Sequence, residues 1–397
     1  MADVRALLMI PGPVEISPGV AERFGGPPPA HLAPALIEAF GASLEMMREV
    51  WLADPSDQPF VLAGGGTAAM DMAVSNLIEP GDRALLVNTG FFSDRLAAMI
   101  RRQGAEVLEV TAAPGAAPRP DAVRELLDRG GPPFKALFAT HVDTSTGVRL
   151  DARPLAALAR ERGVLSIFDG VCATAGERFD MAGWGADVYL TASQKALGLP
   201  AGLALLVATR RALETREARR AAAPPLYLDW REWLPVMRAY EERRAAYFST
   251  PPTNLILALE CGLREILVAG IERRFAVHER AGRAMRAAWR AMGLAVLPLT
   301  DDLAANTLSA VKLPAGVEPS LVGAILERGV VVAGGLLPAI RNTYFRVGHM
   351  GYAATQPSML RRTVKAIAAS LAEAGAAVDP ENALAALAQA LDDAAVS

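Results

Sequence analysis

Thr191-Ala192-Ser193-Gln194-Lys195-Ala196-Leu197-Gly198 sets a lysine between a strand-like run, Ala186 to Leu190, and a Gly/Pro-rich segment, 26 residues after the aspartate that closes Val164-Leu165-Ser166-Ile167-Phe168-Asp169. Lysine is scarce in this chain. There are four, Lys135, Lys195, Lys312 and Lys365, among 40 lysines and arginines. A lysine amine can form a Schiff base, whereas an arginine stays protonated and cannot. Lys135 and Lys312 flank strand-like runs and Lys365 falls on a helix face near the C-terminus, which leaves Lys195 as the amine placed to project into a cleft.

Around this segment, short Val/Leu/Phe-rich runs alternate with helical patterns from about residue 58 to 205. That alternation predicts an α/β fold with a largely parallel sheet. The expected strands are Phe60–Leu62, Ala84–Asn88, Val107–Val110, Ala136–Thr140, Leu165–Asp169, Val188–Leu190 and Leu203–Val207, with helices over Ala68–Leu77, Asp94–Gln103 and Arg153–Arg162 between them. After an Arg/Ala-rich stretch, Arg210 to Arg220, and an aromatic segment, Tyr227 to Trp233, two long helices are expected at Thr253–Val268 and Ile271–Met292. Strands near Ala295–Pro298, Leu308–Leu313, Val330–Ala333 and Thr343–Val347 then mix with helices Ser320–Glu327 and Gln356–Glu373, which predicts a smaller α+β domain. A last helix starts at Asp379-Pro380, where Asp caps and Pro suits the first position. Ile10-Pro11-Gly12-Pro13-Val14 is held extended by its prolines and reads as an arm crossing another surface. The expected division is an arm over residues 1–20, a large domain over 21–265 and a small domain over 266–397.

A net charge of −3 and a pI near 5.9 give no basic field of the kind nucleic acid or an anionic membrane requires, so small molecules are the expected partners. Met1 to Arg5 show no basic segment leading into an apolar one, and no apolar stretch reaches transmembrane length, so a soluble cytoplasmic protein is expected. Cys172 and Cys261 fall in apolar runs and are expected as buried thiols rather than a disulfide. His31, His141, His278 and His349 are scattered without metal-ligand spacing, and no metal site is expected.

Leu62-Ala63-Gly64-Gly65-Gly66-Thr67-Ala68 follows a strand and opens a helix, so its backbone N–H groups can hold a phosphate. Gly64, Gly66 and Ala69 also satisfy G-x-G-x-x-A, but the dinucleotide pattern requires an acidic residue closing the next strand and this chain has Asn88 there. A tight turn packing helix on sheet is the third reading. Asp169 sits at the carboxyl edge of its strand, where open α/β sheets bind ligands. A carboxylate there pairs with a pyridinium nitrogen and keeps the ring protonated as an electron sink, or it is simply a helix cap or surface ion pair. With Lys195, the glycine loop and Asp169 point to pyridoxal phosphate. His141-Val142-Asp143-Thr144-Ser145-Thr146-Gly147 clusters hydroxyls after another strand. In Tyr344-Phe345-Arg346-Val347-Gly348-His349 an arginine lies inside an apolar strand, suited to a substrate carboxylate or to a structural salt bridge.

Together these segments resemble the fold-type I pyridoxal-phosphate enzymes, and among them the class V aminotransferases of alanine–glyoxylate and serine–glyoxylate type. The likeness runs from Ile10-Pro11-Gly12-Pro13 to Arg346-Val347-Gly348-His349-Met350-Gly351; Ala192 to Ala196, Thr140 to Thr146 and Tyr247-Phe248-Ser249-Thr250-Pro251-Pro252 carry it most specifically. It implies a mostly parallel seven-stranded sheet in the large domain, Lys195 as the Schiff-base lysine and Asp169 on the pyridine nitrogen. It further implies Gly65, Gly66, Thr67 and Gln194 at the phosphate, Phe92 stacked on the ring, and Thr144 near the ring hydroxyl. Tyr247 and Thr250 would reach the phosphate of a second subunit, giving a homodimer with shared sites. Arg346 would hold the substrate carboxylate, and Gly12 would line a pocket for a small side chain.

The activity so implied is ping-pong transamination from a small L-amino acid, alanine first, to glyoxylate. Serine–glyoxylate or serine–pyruvate exchange, another class V activity, and a non-catalytic binding role on the same fold are the alternatives. A desulfurase would need a thiol on a mobile loop, which neither Cys172 nor Cys261 provides. Two positions depart from the common family form. Gly65 replaces a serine and removes a hydroxyl from the phosphate cup, and Gly170-Val171-Cys172-Ala173 replaces Ala-Val-Cys-Ser, which is expected to alter packing behind the ring.

Overall fold

The computed structural model describes residues 5–129 and 131–392; residues 1–4 of the expected arm, residue 130 and residues 393–397 of the expected small domain lie outside the described residues. Seven strands form the main sheet: β1 (Gln58–Ala63), β2 (Arg83–Asn88), β3 (Glu106–Thr111), β4 (Ala136–Thr140), β5 (Leu165–Asp169), β6 (Val188–Ala192) and β7 (Leu203–Ala208). Their order is β1-β7-β6-β5-β4-β2-β3. Only β7 runs against its neighbours. Every residue of β4, β5, β6 and β7 is buried, because helices cover both faces, and their apolar runs are continuous rather than alternating. β3 closes one edge with Glu106 and Glu109 on a half-exposed strand, a charged edge that resists further pairing.

The seven expected strands are all present, and the expected helices appear within three residues of their predicted limits. Pro18–Gly25, Pro34–Trp51, Pro120–Asp128, Arg210–Glu217 and Trp230–Glu241 are further helices that the sequence reading did not assign, the last with Pro235 inside it. The first of them starts within the expected arm.

Two strands expected in the C-terminal part are corrected. Ala295–Pro298 is reduced to a single bridge between Val296 and Val311, since Pro298 has no N–H to continue a ladder. Val330–Ala333 splits: Val330–Val331 pairs in parallel with Leu7–Leu8, and Ala333–Gly334 pairs with Tyr344–Gly348, which also pairs with Leu308–Lys312. The arm therefore crosses the C-terminal part of its own chain, and Leu7 and Met9 enter a second core built on helices Ile271–Ala291, Pro357–Glu373 and Pro380–Asp392. The first core packs helices on the main sheet. Between them a small cluster, with Val14, Cys172, Ala196 and Met350, lies beneath the Lys195 segment. Cys172 is buried as expected; Cys261, expected buried, is half-exposed at the rim of the first core, on helix Thr253–Ala269.

Candidate active site

Helix Gly66–Leu77 starts directly after β1, and its N-cap, Gly65, is extended with no side chain capping the first turn. The first N–H groups of that helix are thus free for an anion. A Cβ on Gly66 would stand 2.7 Å from Val171 Cγ2, so glycine is what lets the helix start abut the turn after Asp169. Around Gly65 there is open space. A serine fits there without strain and restores the missing hydroxyl. Gly65→Ser is expected to tighten pyridoxal phosphate binding about fivefold, the worth of one net hydrogen bond. Titration of the stripped protein checks this, and an unchanged or weaker affinity would show that the hydroxyl has no phosphate to meet.

Asp169 is buried at the end of β5, where its Oδ1 accepts from Val171 N at 2.8 Å. Burial raises its pKa to about 7, with Asp143 pushing the same way and Lys195 and Arg95 opposing. A buried carboxyl so short of counter-charge is suited to a cationic ring nitrogen. The position after it is glycine because Tyr189 already fills the space a Cβ would need. Tyr189 stacks on Phe179 at 3.7 Å and places its hydroxyl 3.0 Å from His141 Nδ1. Burial drops His141 to about 3 and His349 likewise, which keeps both imidazoles neutral.

Lys195 is buried after β6, its amine donating to the carbonyl of Pro11. Burial lowers its pKa, with the charge of Arg346 acting in the same direction and Cys172 and Asp169 opposing. Gly12 has φ +87° and presses on the lysine: a Cβ there would stand 2.6 Å from Lys195 Cδ and 2.7 Å from the Gln194 carbonyl. Arg346 Nε donates to the Gly334 carbonyl at 2.8 Å and Nη1 to the Thr144 carbonyl at 3.2 Å. No carboxylate pairs with it among the described residues, so the salt-bridge alternative does not hold.

Phe92 opens helix Phe91–Arg102, half-buried, and Thr144 is buried in the turn beyond β4. The Oε1 of Gln194 is buried without a partner. Two of these features, the uncapped glycine start and the counter-charge-poor Asp169, fit pyridoxal phosphate. The Tyr247 and Thr250 hydroxyls are 3.3 Å from each other, and Tyr247 is 59% exposed.

Three supports were not legible in the sequence reading. Buried Asp143 accepts from Phe92 N at 3.1 Å and from Ser145 N at 2.9 Å, tying the aromatic helix start to the hydroxyl turn. The Pro11 carbonyl holds the lysine. The Tyr344 hydroxyl donates to the Ser145 carbonyl at 2.6 Å and accepts from Leu336 N and Leu337 N, each at 2.9 Å, fastening the loop whose Gly334 carbonyl steadies Arg346. An Asp in a Ser/Thr-rich turn is a local signal for the first; the other two join distant segments and leave none. Among the described residues no cluster of His, Cys, Asp or Glu is arranged to hold a metal, and no helix is long and apolar enough to cross a membrane.

Residues 36–336 match the family described as "Aminotransferase class-V". The chain is 34% identical to alanine–glyoxylate aminotransferase 1 of Saccharomyces cerevisiae, over 89% of this chain and 94% of the relative. It is 32% identical to the L-aspartate–glyoxylate aminotransferase of Paracoccus denitrificans, over 87% and 86%. The crystal structure of ureidoglycine–glyoxylate aminotransferase from Bacillus subtilis superposes with a TM-score of 0.91 at 25% identity, covering 99% of both chains. With a matched fold, a family match over most of its length and a lysine–aspartate pair at the carboxyl edge of the sheet, the chain belongs to the class V aminotransferases, enzymes that use pyridoxal phosphate.

Proposed function

We propose that this aminotransferase transfers the amino group of L-alanine to glyoxylate, giving pyruvate and glycine in two half-reactions at one site. The observation that carries the choice of donor is the pairing of one cation with a narrow wall. Arg346 is the arginine whose charge reaches Lys195, and Gly12 lies against the lysine with no room for even a Cβ. One guanidinium serves one carboxylate, which favours a monocarboxylic donor over aspartate, and the close wall favours a methyl side chain. Glyoxylate as acceptor rests on its recurrence in the names of relatives whose donors differ.

Arg346 grips the α-carboxylate through its planar fork and fixes which substrate bond faces Lys195. The Lys195 amine, made less basic by burial, takes the Cα proton and returns it on the other side of the exchange. Asp169 would hold a proton on the ring nitrogen of the bound cofactor. The cofactor, when bound, supplies the electron sink for the charge left at Cα. Gly65, Gly66, Thr67 and Gln194 would hold its phosphate, Phe92 would stack on its ring, and Thr144 would flank its hydroxyl.

The active unit we propose is a homodimer. Exposed Tyr247 lies 5.4 Å, ring to ring, from His31, whose chain neighbour Leu32 is also exposed, and a second copy would cover these side chains. The proposed division into an arm at 1–20, a large domain at 21–265 and a small domain at 266–397 draws on the two separate cores, although both limits fall inside helices, Pro18–Gly25 and Thr253–Ala269.

The deciding experiment is the visible spectrum of the purified protein, taken before and after L-alanine and again after glyoxylate. Bleaching by alanine and recovery with glyoxylate are expected. A band that responds to serine or aspartate but not to alanine would transfer the donor assignment to that amino acid.

A further inference from the structure

Arg95 sits one turn into helix Phe91–Arg102, four residues after Phe91 and three after Phe92, so its side chain lies over both rings, 5.2 and 5.1 Å from their centres. Its Nη1 donates to Thr67 Oγ1 at 2.8 Å, at the first turn of the helix that Gly65 opens. Among the described residues that is the one acceptor its guanidinium meets, and no carboxylate pairs with it. Its neighbour Asp94 is engaged elsewhere, accepting from Asn88 Nδ2 at 2.8 Å. A half-buried guanidinium with aromatic rings on one side and no counter-ion is a site for an anion. It offers further N–H donors in a planar fork, the geometry that takes a phosphate through two oxygens.

We infer that Arg95 is the cationic wall of the phosphate cup, binding the cofactor's phosphate beside Thr67. By donating to Thr67 Oγ1, Arg95 leaves that hydroxyl's own proton for the phosphate and polarises it. The charge also offsets the hydroxyl missing at Gly65, which explains how a cup built on three consecutive glycines retains a dianion. The proposal rests on the reading of Gly65 to Thr67 as the phosphate site.

The test compares two ligands that differ only in the phosphate. Stripped full-length protein, wild type and Arg95→Gln, is titrated with pyridoxal phosphate and with pyridoxal. Arg95→Gln is expected to weaken pyridoxal phosphate about 10- to 100-fold, the range for a hydrogen bond to a charged group, while pyridoxal binding changes less than twofold. Equal weakening of both ligands would overturn the proposal, since it would mean that Arg95 acts by placing the Phe92 ring. No weakening of either would overturn it as well. Should Arg95→Gln fail to fold, Arg95→Lys carries the same comparison, because it keeps the charge and loses the fork. Thr67→Val separates the two levels of argument. If it leaves pyridoxal phosphate affinity intact, the cup itself is misplaced; if it weakens affinity and Arg95→Gln does not, the cup stands and Arg95 has no part in it.

Discussion

Lys195→Ala is expected to lose transamination by about 10⁴-fold or more while still folding. General base catalysis by a placed amine accounts for up to about 10⁴ of the rate. The covalent hold on the cofactor is lost with the same side chain. The amine is also anchored on the Pro11 carbonyl and pressed by Gly12, so no other lysine replaces it: Lys135, Lys312 and Lys365 lie elsewhere in the chain. Single-turnover rates with alanine, and the loss of the visible band, are the measurements. Added small amines are expected to restore part of the rate, because the truncated side chain leaves room beside Gly12. A variant that kept most of its turnover would move the proton-transfer role away from Lys195.

Asp169→Asn is expected to lower kcat by about 10²- to 10³-fold, the scale of removing one preorganised electrostatic partner, with KM for alanine changing little if Arg346 is the carboxylate holder proposed above. The same substitution has a pH signature in the stripped protein. The folded-state pKa of Asp169, about 7, lies above its ordinary value of 3.8, so the fold prefers the neutral carboxyl. That contribution to stability is fully present below pH 3.8 and is lost as pH rises through about 7. Thermal melting of stripped wild type is therefore expected to fall relative to Asp169→Asn between pH 4 and 8, roughly the interval between those two pKa values. Pyridoxal phosphate added at the high end is expected to stabilise wild type more than the variant, since the ionised carboxylate then gains a cationic neighbour. A difference in melting temperature that stays flat over that interval would mean Asp169 is solvated and not the buried group described.

Periodicity and strand-end residues revealed the main sheet because β4 to β7 are continuous apolar runs buried on both faces. Helix starts were read up to three residues late, as at Phe91, where the N-cap is Gly90 and no side chain marks the entry. Ala295–Pro298 has strand composition, yet it pairs at one point only. Tyr344 and Arg95 act on partners that local pattern cannot identify, and Asp143, whose turn with Ser145 is local, also reaches Phe92, 51 residues away.

The α/β class, the aspartate closing a central strand, the lysine following the next and the glycine start of a helix were all legible in the amino-acid order. All of these depend on neighbours within a few residues. Packing of distant segments makes Pro11 hold an amine 184 residues away, sets the Thr144 carbonyl under an arginine 202 residues away, and puts Tyr189 in the space left by Gly170. Such contacts form when the chain closes on itself, so burial and complementary shape fix them, and no local spacing encodes them.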